Sequence, residues 1–187
     1  MKTLERRKKS AINNNQGWGM KETTMCNKEQ TNDTRASMRD FFRAEAARYK
    51  ENRLSTVPEF PFLPSDCEQY GWLILEDLRG ARENLAFAGP RTADPSTFEN
   101  CVSLRGNAHI EVAAILSGRL ASIPALQKWS WLIAKEIEAL TKAVENLTSA
   151  EATPDGAAWH LRQACHHVEA ALATHVRLMA AMGIDVA

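Results

Sequence analysis

The chain has 187 residues, which is enough for one domain whose core needs neither disulfides nor a metal for stability. Its hydrophobic content of 44% fits a globular protein, and no apolar run approaches the ~18 residues that a membrane span requires. Acidic and basic side chains balance at 23 each, but residues 1–54 hold 13 basic and 7 acidic side chains, whereas residues 55–187 hold 10 and 16.

A basic first third ahead of an acidic remainder indicates a contact that depends on charge. Such an arm attracts nucleic acid, a membrane surface or an acidic partner, or it folds onto the acidic body of its own chain. The basic cluster at residues 2–9 is followed by the polar run 13–16 instead of an apolar segment, so a secretory signal is not expected. The four cysteines are far apart and form no CxxC pair, which favours free thiols in the cytoplasm.

The N-terminal part of the chain is predicted to form a tail, one helix and an extended segment. Residues 1–33 are polar and show no apolar period, which predicts disorder. Asp33 or Thr34 can cap a basic amphipathic helix that runs to about Arg53. Residues 57–64 read VPEFPFLP, and their prolines impose an extended path. Because the side chains between these prolines are too apolar for a free linker, we expect the segment to pack against the rest of the protein.

Four long helices, the second to the fifth of the chain, are predicted after this segment. The second helix opens with a capping box at Ser65–Glu68 and ends at Gly89 and Pro90. Each of the next three begins where a polar residue is followed by proline in the first turn, a position at which the missing N–H of proline costs nothing. These starts are Asp94 with Pro95, Ser122 with Pro124, and Thr153 with Pro154, and the last helix is expected to stop near Gly183.

The fourth and fifth helices carry the clearest pattern in the chain. Their apolar residues recur with a 3.5-residue period, which keeps one seam of each helix against a partner helix. Short loops between helices of matched length force neighbours to run antiparallel. The sequence therefore predicts an all-α, up-down-up-down four-helix bundle at 65–187, with the helix and proline-rich segment of 34–64 packed outside. The seam residues are Leu126, Trp129, Ile133, Ile137, Leu140, Val144 and Leu147, and Leu161, Cys165, Val168, Leu172, His175, Met179 and Met182.

Four polar residues fall on or beside the predicted apolar faces. Arg105 and His109 share the apolar face of the third helix, His175 occupies a seam position of the fifth, and Asp77 flanks the stripe of the second. Because a buried charge is costly unless it is paired, a buried polar network of these residues is expected. Two alternatives are edge positions with the head groups in water, and a small polar pocket between the third and fifth helices with a histidine of shifted pKa.

No metal, cofactor or nucleophile site is predicted. No two histidines lie three or four residues apart and no Glu-x-x-His motif occurs, so neither a zinc HExxH site nor a di-iron carboxylate bundle is supported. The sequence also lacks GxSxG, GxGxxG and Walker-type motifs.

Residues 162–167 read RQACHH, in which Arg162 and His167 form an Arg-x4-His motif. This motif resembles that of the HEPN-type ribonucleases, which are also all-helical bundles. The resemblance implies a metal-independent ribonuclease with a cleft between two protomers, in which Arg162 stabilises the phosphate and His167 acts in acid–base transfer. The match covers six residues at the start of a regular helix, where positions five apart point about 140° away from each other.

Large aromatic residues outside the predicted core indicate a contact surface. Trp72 and Trp131 lie off the stripes of their helices, and Phe41, Phe42 and Tyr49 lie on the basic N-terminal helix. Since no catalytic constellation accompanies them, the sequence predicts a cytoplasmic, non-enzymatic regulator, inhibitor or adaptor that binds a protein partner, self-associates and does not bind membranes. The alternatives are the HEPN-like ribonuclease and a nucleic-acid-binding regulator that acts through residues 35–53.

Overall fold

The regular structure of this protein is helical throughout the residues that the computed structural model describes, which are 22–57, 64–88 and 98–186. Short 3-10 helices lead into the last two α-helices. The predicted all-α fold is therefore confirmed. No helix in these ranges has an apolar stretch long enough to cross a bilayer. The elements are α1 (Glu22–Ser55), α2 (Pro64–Ala88), α3 (Phe98–Ala121), a 3-10 helix (Pro124–Trp129), α4 (Ser130–Ala152), a 3-10 helix (Pro154–Gly156) and α5 (Ala157–Ala181).

The chain divides into two compact units, Met1–Thr34 and Arg35–Ala187. Of the first unit, the structure describes the backbone from Glu22 onward, which is helical. The side-chain contacts described below all lie within the second unit.

Helix α1 begins at Glu22 and not at the predicted caps Asp33 and Thr34. It contains neither glycine nor proline, so no residue in it forces a helix to end. Residues 22–33 are helical in the structure, and residues 1–21 lie outside the described part of the chain, so the disordered tail at 1–33 stays a prediction.

Two further predictions concern residues that the structure does not describe. Of the proline-rich segment 57–64, expected to pack outside the bundle, residues 58–63 lie outside the described chain. The predicted start of the third helix at Asp94 and Pro95 falls in residues 89–97. Both therefore stay predictions.

Helices α4 and α5 begin later than the predicted caps, because a tighter turn precedes each of them. Backbone bonds from Leu126 N–H to the Ile123 carbonyl and from Gly156 N–H to the Thr153 carbonyl, both 3.0 Å, close 3-10 turns instead. The Ser122 hydroxyl donates back to the Gly118 carbonyl and does not cap the following helix. The polar-then-proline pattern therefore marked the turns correctly but not the first α-helical residues.

Helix α5 ends at the predicted glycine with a Schellman motif. Gly183 has a φ of 82°, which L side chains rarely adopt. The Ile184 N–H donates to the Met179 carbonyl (2.9 Å) and the Gly183 N–H to the Ala180 carbonyl (3.0 Å). The last carbonyls of the helix are thereby satisfied, and the chain turns away.

The apolar core lies among α2, α3, α4 and α5, which together are called the body below. Within it, α2 packs against α3 and α5, and α4 packs against the same two helices. Each helix supplies side chains with no exposed surface, such as Leu78, Leu116, Leu140 and Leu178. Helix α1 is attached differently, since its backbone approaches the body closely at few points.

The predicted seam of α4 and α5 is buried or half-buried along its whole length, as expected. The most deeply buried positions of the two helices, however, include small or polar residues, which a search for hydrophobic side chains does not identify. Glu136 and Ala143 of α4 are fully buried, whereas the predicted neighbours Ile137 and Val144 are half-buried. In α5, three small residues share this deep register: Ala157, Ala164 and Ala171.

Two glycines inside α3 behave differently. A Cβ on Gly106 would lie 2.9 Å from Cδ2 of Leu85, so this glycine permits the close approach of α2. A Cβ on Gly118 would meet nothing within 4 Å, so packing does not require a glycine at this position.

Replacing Gly118 by alanine is therefore expected to raise the free energy of unfolding by about 0.5–1 kcal/mol, because alanine restricts the unfolded chain and favours helix. Urea unfolding followed by circular dichroism measures this change. Gly106→Ala is the matched control, in which the crowded Leu85 offsets the gain. Equal stabilisation by both substitutions would contradict the difference in packing.

Candidate functional site

The second half of α1 is held to the body by long polar side chains. Four basic residues, three of α1 and one of α3, meet carboxylates across this interface, which matches the alternative in which the basic arm folds onto its own body. Nucleic-acid binding through residues 35–53 stays a prediction. The pairs are Arg39–Glu151 (3.6 Å), Lys50–Glu111 (2.6 Å), Arg53–Glu76 (2.5 Å) and Arg105–Glu45 (2.5 Å).

Asp77 of α2 is fully buried at the centre of this attachment. Its Oδ1 accepts hydrogen bonds from the Tyr49 hydroxyl (2.5 Å) and from His109 Nδ1 (2.9 Å). Its Oδ2 accepts one from Arg53 Nε (3.3 Å). Three donors, one of them charged, offset the cost of burying the carboxylate. We call Asp77, Tyr49, His109 and Arg53 the Asp77 cluster.

Hydrogen bonding in the Asp77 cluster constrains the roles of its members. A carboxylate only accepts, so Nδ1 of His109 donates to Asp77, and in the neutral imidazole the lone pair is then on Nε2. No described residue donates a hydrogen bond to that Nε2. Burial, reinforced by the hydrogen bond to Asp77 and by its negative charge, raises the pKa of Tyr49. The Tyr49 hydroxyl therefore remains a donor throughout the physiological range.

Gly80, in the middle of α2, makes room for the ring of His109. A Cβ at this position would lie 2.8 Å from Cε1 and 2.9 Å from Nε2 of the imidazole. The ring is rigid and is held by Asp77, so it cannot move aside at low cost. A glycine that weakens the helix by about 1 kcal/mol relative to alanine is thus required by the Asp77 cluster.

A cavity of about 260 Å³ opens beside this cluster, between α1, α2 and α3. Arg105 forms one wall, where its Nε donates to Glu45 (3.0 Å) and its guanidinium lies 4.9 Å from the ring centroid of Phe42. Arg105 therefore belongs to the cavity wall and not to the Asp77 cluster. The residues that line the cavity are Glu45, Ala46, Tyr49, Asn84, Arg105, Ala108 and His109.

A second buried network joins all four helices of the body. His175 of α5 is fully buried, with Nδ1 2.8 Å from Oε2 of Glu136 in α4 and Nε2 donating to the Gly71 carbonyl of α2 (2.9 Å). The Ser117 hydroxyl of α3 bonds to Oε1 of Glu136 and to the Ala113 carbonyl (2.8 Å). Because each helix supplies one member, the network specifies how the four helices align.

The structure thus separates residues that the sequence analysis grouped into one network. His109 and Asp77 lie together, but Arg105 pairs with Glu45 and His175 pairs with Glu136. The small polar pocket expected between the third and fifth helices lies instead between α1, α2 and α3. The reason is that α3 and α5 each pack against α2 and α4, so they are not neighbours.

A larger groove of about 670 Å³ lies at one end of the body, and we call it the end groove. It is formed by the first turns of α2, the 3-10 helix before α4 and the residues that follow α5. Trp72 and Trp129 are its largest side chains, and the ammonium of Lys128 lies 4.0 Å from the Trp129 ring centroid. Apolar and charged residues complete the wall: Cys67, Glu68, Ala125, Leu126, Met182, Ile184 and Asp185.

The aromatic residues predicted to bind a partner are divided between surface and interior. Trp72, at 37% exposure, lines the end groove, and Trp131 and Phe41 are exposed by 64% and 62%. Phe42, in contrast, is only 6% exposed, and the Tyr49 hydroxyl is engaged with Asp77. Both side chains make contacts within the protein, and their assignment to a partner surface stays a prediction. Apolar positions near a helix end could have pointed to the groove residues Met182 and Ile184, but their convergence with Trp72 could not be read from the sequence.

The Arg-x4-His motif lies on the regular helix α5, where Arg162 is exposed and His167 is half-buried. Burial, with a contribution from the neighbouring His166, lowers the pKa of His167. No contact between Arg162 and His167 is present in the described chain. A ribonuclease of this type would need a cleft between two copies of the chain, so the ribonuclease function stays a prediction.

Within the described ranges, no group of three His, Cys, Asp or Glu side chains is placed to hold a metal ion. Comparison with protein-family models, with curated proteins and with solved structures finds no match to this chain. Function is therefore inferred from the arrangement of its own residues.

Proposed function

We propose that the protein acts by protein–protein contact, as a regulator, inhibitor or adaptor without catalytic activity of its own. The observation that carries this proposal is the end groove, in which Trp72 and Trp129 border a cleft of about 670 Å³. Tryptophan in a partly enclosed cleft is the side chain that most often dominates the binding energy of protein interfaces.

The occupant that best fits the end groove is an apolar helical segment of a partner protein. Helices bind such grooves through apolar side chains spaced three or four residues apart. The charged residues around the apolar floor are Glu68, Asp185 and Lys128, all exposed. Two carboxylates against one ammonium favour a partner segment with a basic residue beside its apolar side chains.

We further propose the antiparallel up-down-up-down arrangement for the body, with α1 outside it. In three of the four packed pairs, contacts run in opposite chain order, as expected for antiparallel helices. The supporting contacts are Asp77–His109 and Leu85–Gly106 for α2 and α3, Glu136–His175 and Asn146–His160 for α4 and α5, and Gly71–Met179 and Arg82–Glu169 for α2 and α5.

The proposed location is the cytoplasm, and the proposed assembly is a self-associating one. Cys67 and Cys165 are free thiols, and burial raises the pKa of each, which lowers their reactivity. Trp131, the most exposed tryptophan of the described chain, supplies apolar surface for contact between copies.

Capture of partners from the native host in about 1 M NaCl tests the proposal, since apolar contacts survive this salt whereas surface ion pairs are screened. Trp72→Asp is expected to abolish capture, with an affinity loss of roughly thirtyfold or more for a central tryptophan. The apolar segment of the captured partner, titrated as a peptide, should then shift the indole N–H signals of Trp72 and Trp129 in NMR spectra.

Trp159→Asp is the matched control. Trp159 is also exposed, by 53%, but lies at the start of α5, whereas the end groove adjoins the end of that helix. Equal capture by the two variants, or a peptide that shifts other indole signals instead, would refute the proposal. Sedimentation of the wild-type chain alone reports self-association separately.

A further inference from the structure

The cavity beside His109 has a polar wall that plays no part in the proposed binding of a partner to the end groove. Two members of the Asp77 cluster, Tyr49 and His109, line it, and its wall combines one imidazole, one amide, one phenol and a salt bridge. Its volume of about 260 Å³ is close to the lower end of the range of about 300–1,000 Å³ known for ligand clefts. A small molecule is therefore the appropriate size of ligand.

The wall of this cavity offers hydrogen-bond acceptors to which no described residue donates. His109 Nδ1–H is committed to Asp77, which leaves the Nε2 lone pair. Asn84 Nδ2 donates to the Gly80 carbonyl (2.7 Å), which leaves its Oδ1. Arg105 gives two of its five N–H groups, one on Nε and one on Nη2, to Glu45, and this ion pair neutralises its charge. A ligand that donates several N–H groups would satisfy these acceptors.

The charge of the surroundings points in the same direction. The two charged residues that line the cavity, Glu45 and Arg105, form a neutral pair. In the adjoining group the carboxylates of Asp77 and Glu76 face the single guanidinium of Arg53, which leaves a net charge of −1. The aromatic rings of Tyr49 and His109 lie side by side, with centroids 4.4 Å apart. A cation beside the face of a tyrosine ring gains a further attraction.

We propose that the cavity between α1, α2 and α3 binds the protonated amine or amidine group of a small organic molecule. The N–H groups of the ligand donate to His109 Nε2 and Asn84 Oδ1, and its positive charge is balanced by the excess carboxylate of the surrounding group. The buried Asp77 positions His109 for this role by fixing its tautomer.

Three compounds of nearly equal shape test the proposal: benzamidinium, neutral benzamide and anionic benzoate. Each is titrated into the full-length protein while the imidazole Cε1–H signals are followed by NMR. The His109 signal is assigned with a His109→Gln variant, and its shift during each titration gives a dissociation constant. Benzamidinium is expected to bind at least tenfold more tightly than benzoate, with benzamide between them. Asn84→Leu should weaken benzamidinium binding by roughly threefold to tenfold, as expected for one lost hydrogen bond.

The signals of His160 and His175 serve as internal controls, because both residues have protein partners elsewhere. Equal binding of the three compounds would show apolar filling only, and tighter binding of benzoate would show an anion site; either result overturns the proposal. So would benzamidinium shifts confined to the indole signals of Trp72 and Trp129, which would place the compound in the end groove. Failure of the partner capture described above leaves this outcome unaffected, since the two sites share no residue.

Discussion

Asp77→Asn is expected to lower the free energy of unfolding by about 3 kcal/mol, because one carboxylate satisfies three buried or half-buried donors. The asparagine amide would present a donor to Arg53 or His109, where the native chain presents an acceptor. In a protein of this size the loss corresponds to a fall in the melting temperature of roughly 6–12 °C. Hydrogen exchange should locate the damage in the second half of α1, which the Asp77 cluster attaches to the body.

Glu76→Gln is the control for this prediction, since Glu76 also bonds to Arg53 but its side chain is 66% exposed. Exposed ion pairs contribute about 1 kcal/mol or less, so this neighbour should change stability little. If the two acid-to-amide substitutions cost the same, Asp77 is not the centre of the attachment.

The same substitution has a consequence at alkaline pH. Because the pKa of Tyr49 is raised in the folded state, the unfolded chain releases this proton first, near pH 10. The stability that Tyr49 contributes is thus fully present below about pH 10 and is lost as the pH rises above it. Burial is the largest cause of the raised pKa and remains in Asp77→Asn, but the variant loses the negative charge and the carboxylate hydrogen bond that raise it further. Absorbance at about 295 nm should therefore show tyrosinate forming at lower pH than in the wild type.

His175→Leu is expected to cost about 3–5 kcal/mol, because it leaves the carboxylate of Glu136 fully buried without its partner. Urea unfolding measures this loss. The double variant His175→Leu with Glu136→Met should recover much of it, since replacing both members of a buried pair by apolar side chains is often neutral or stabilising.

His160→Leu is the control for this prediction, because it measures the loss of stability when a less buried histidine is replaced. His160 is half-buried and bonds only to Asn146 (3.1 Å), so its loss should cost about 1 kcal/mol. If the double variant is as unstable as the sum of its two single variants, Glu136 and His175 are not coupled and the alignment of the four helices does not depend on them.

The sequence alone sufficed for the features that arise from local interactions. The 3.5-residue period identified the buried faces of α4 and α5, and Gly183 identified the end of α5, because helix faces and helix ends depend on residues a few positions apart. The start of α1 was missed for the complementary reason. Asp33 and Thr34 are good caps, but no glycine or proline lies between Glu22 and these residues to separate them from the helix before them.

Glu136 shows why the deepest part of the core was not predicted. It follows the same alternation of three and four residues as Leu140, Ala143 and Leu147, yet its charge excludes it from any apolar pattern. The hydrogen bonds that His175 and Ser117 make to it from other helices offset the energetic cost of its burial. The small alanines of α5 escaped notice in a similar way, since close helix contact and not hydrophobicity explains their burial.

The residues of this chain determined by themselves that it forms amphipathic helices with defined ends, since each turn is specified by neighbours along the sequence. Tertiary structure alone decided which carboxylate meets which histidine, because these partners lie 32 and 39 residues apart on different helices. It also decided where the two tryptophans of the end groove converge, since the packing of α2, α4 and α5 brings together residues from distant parts of the chain.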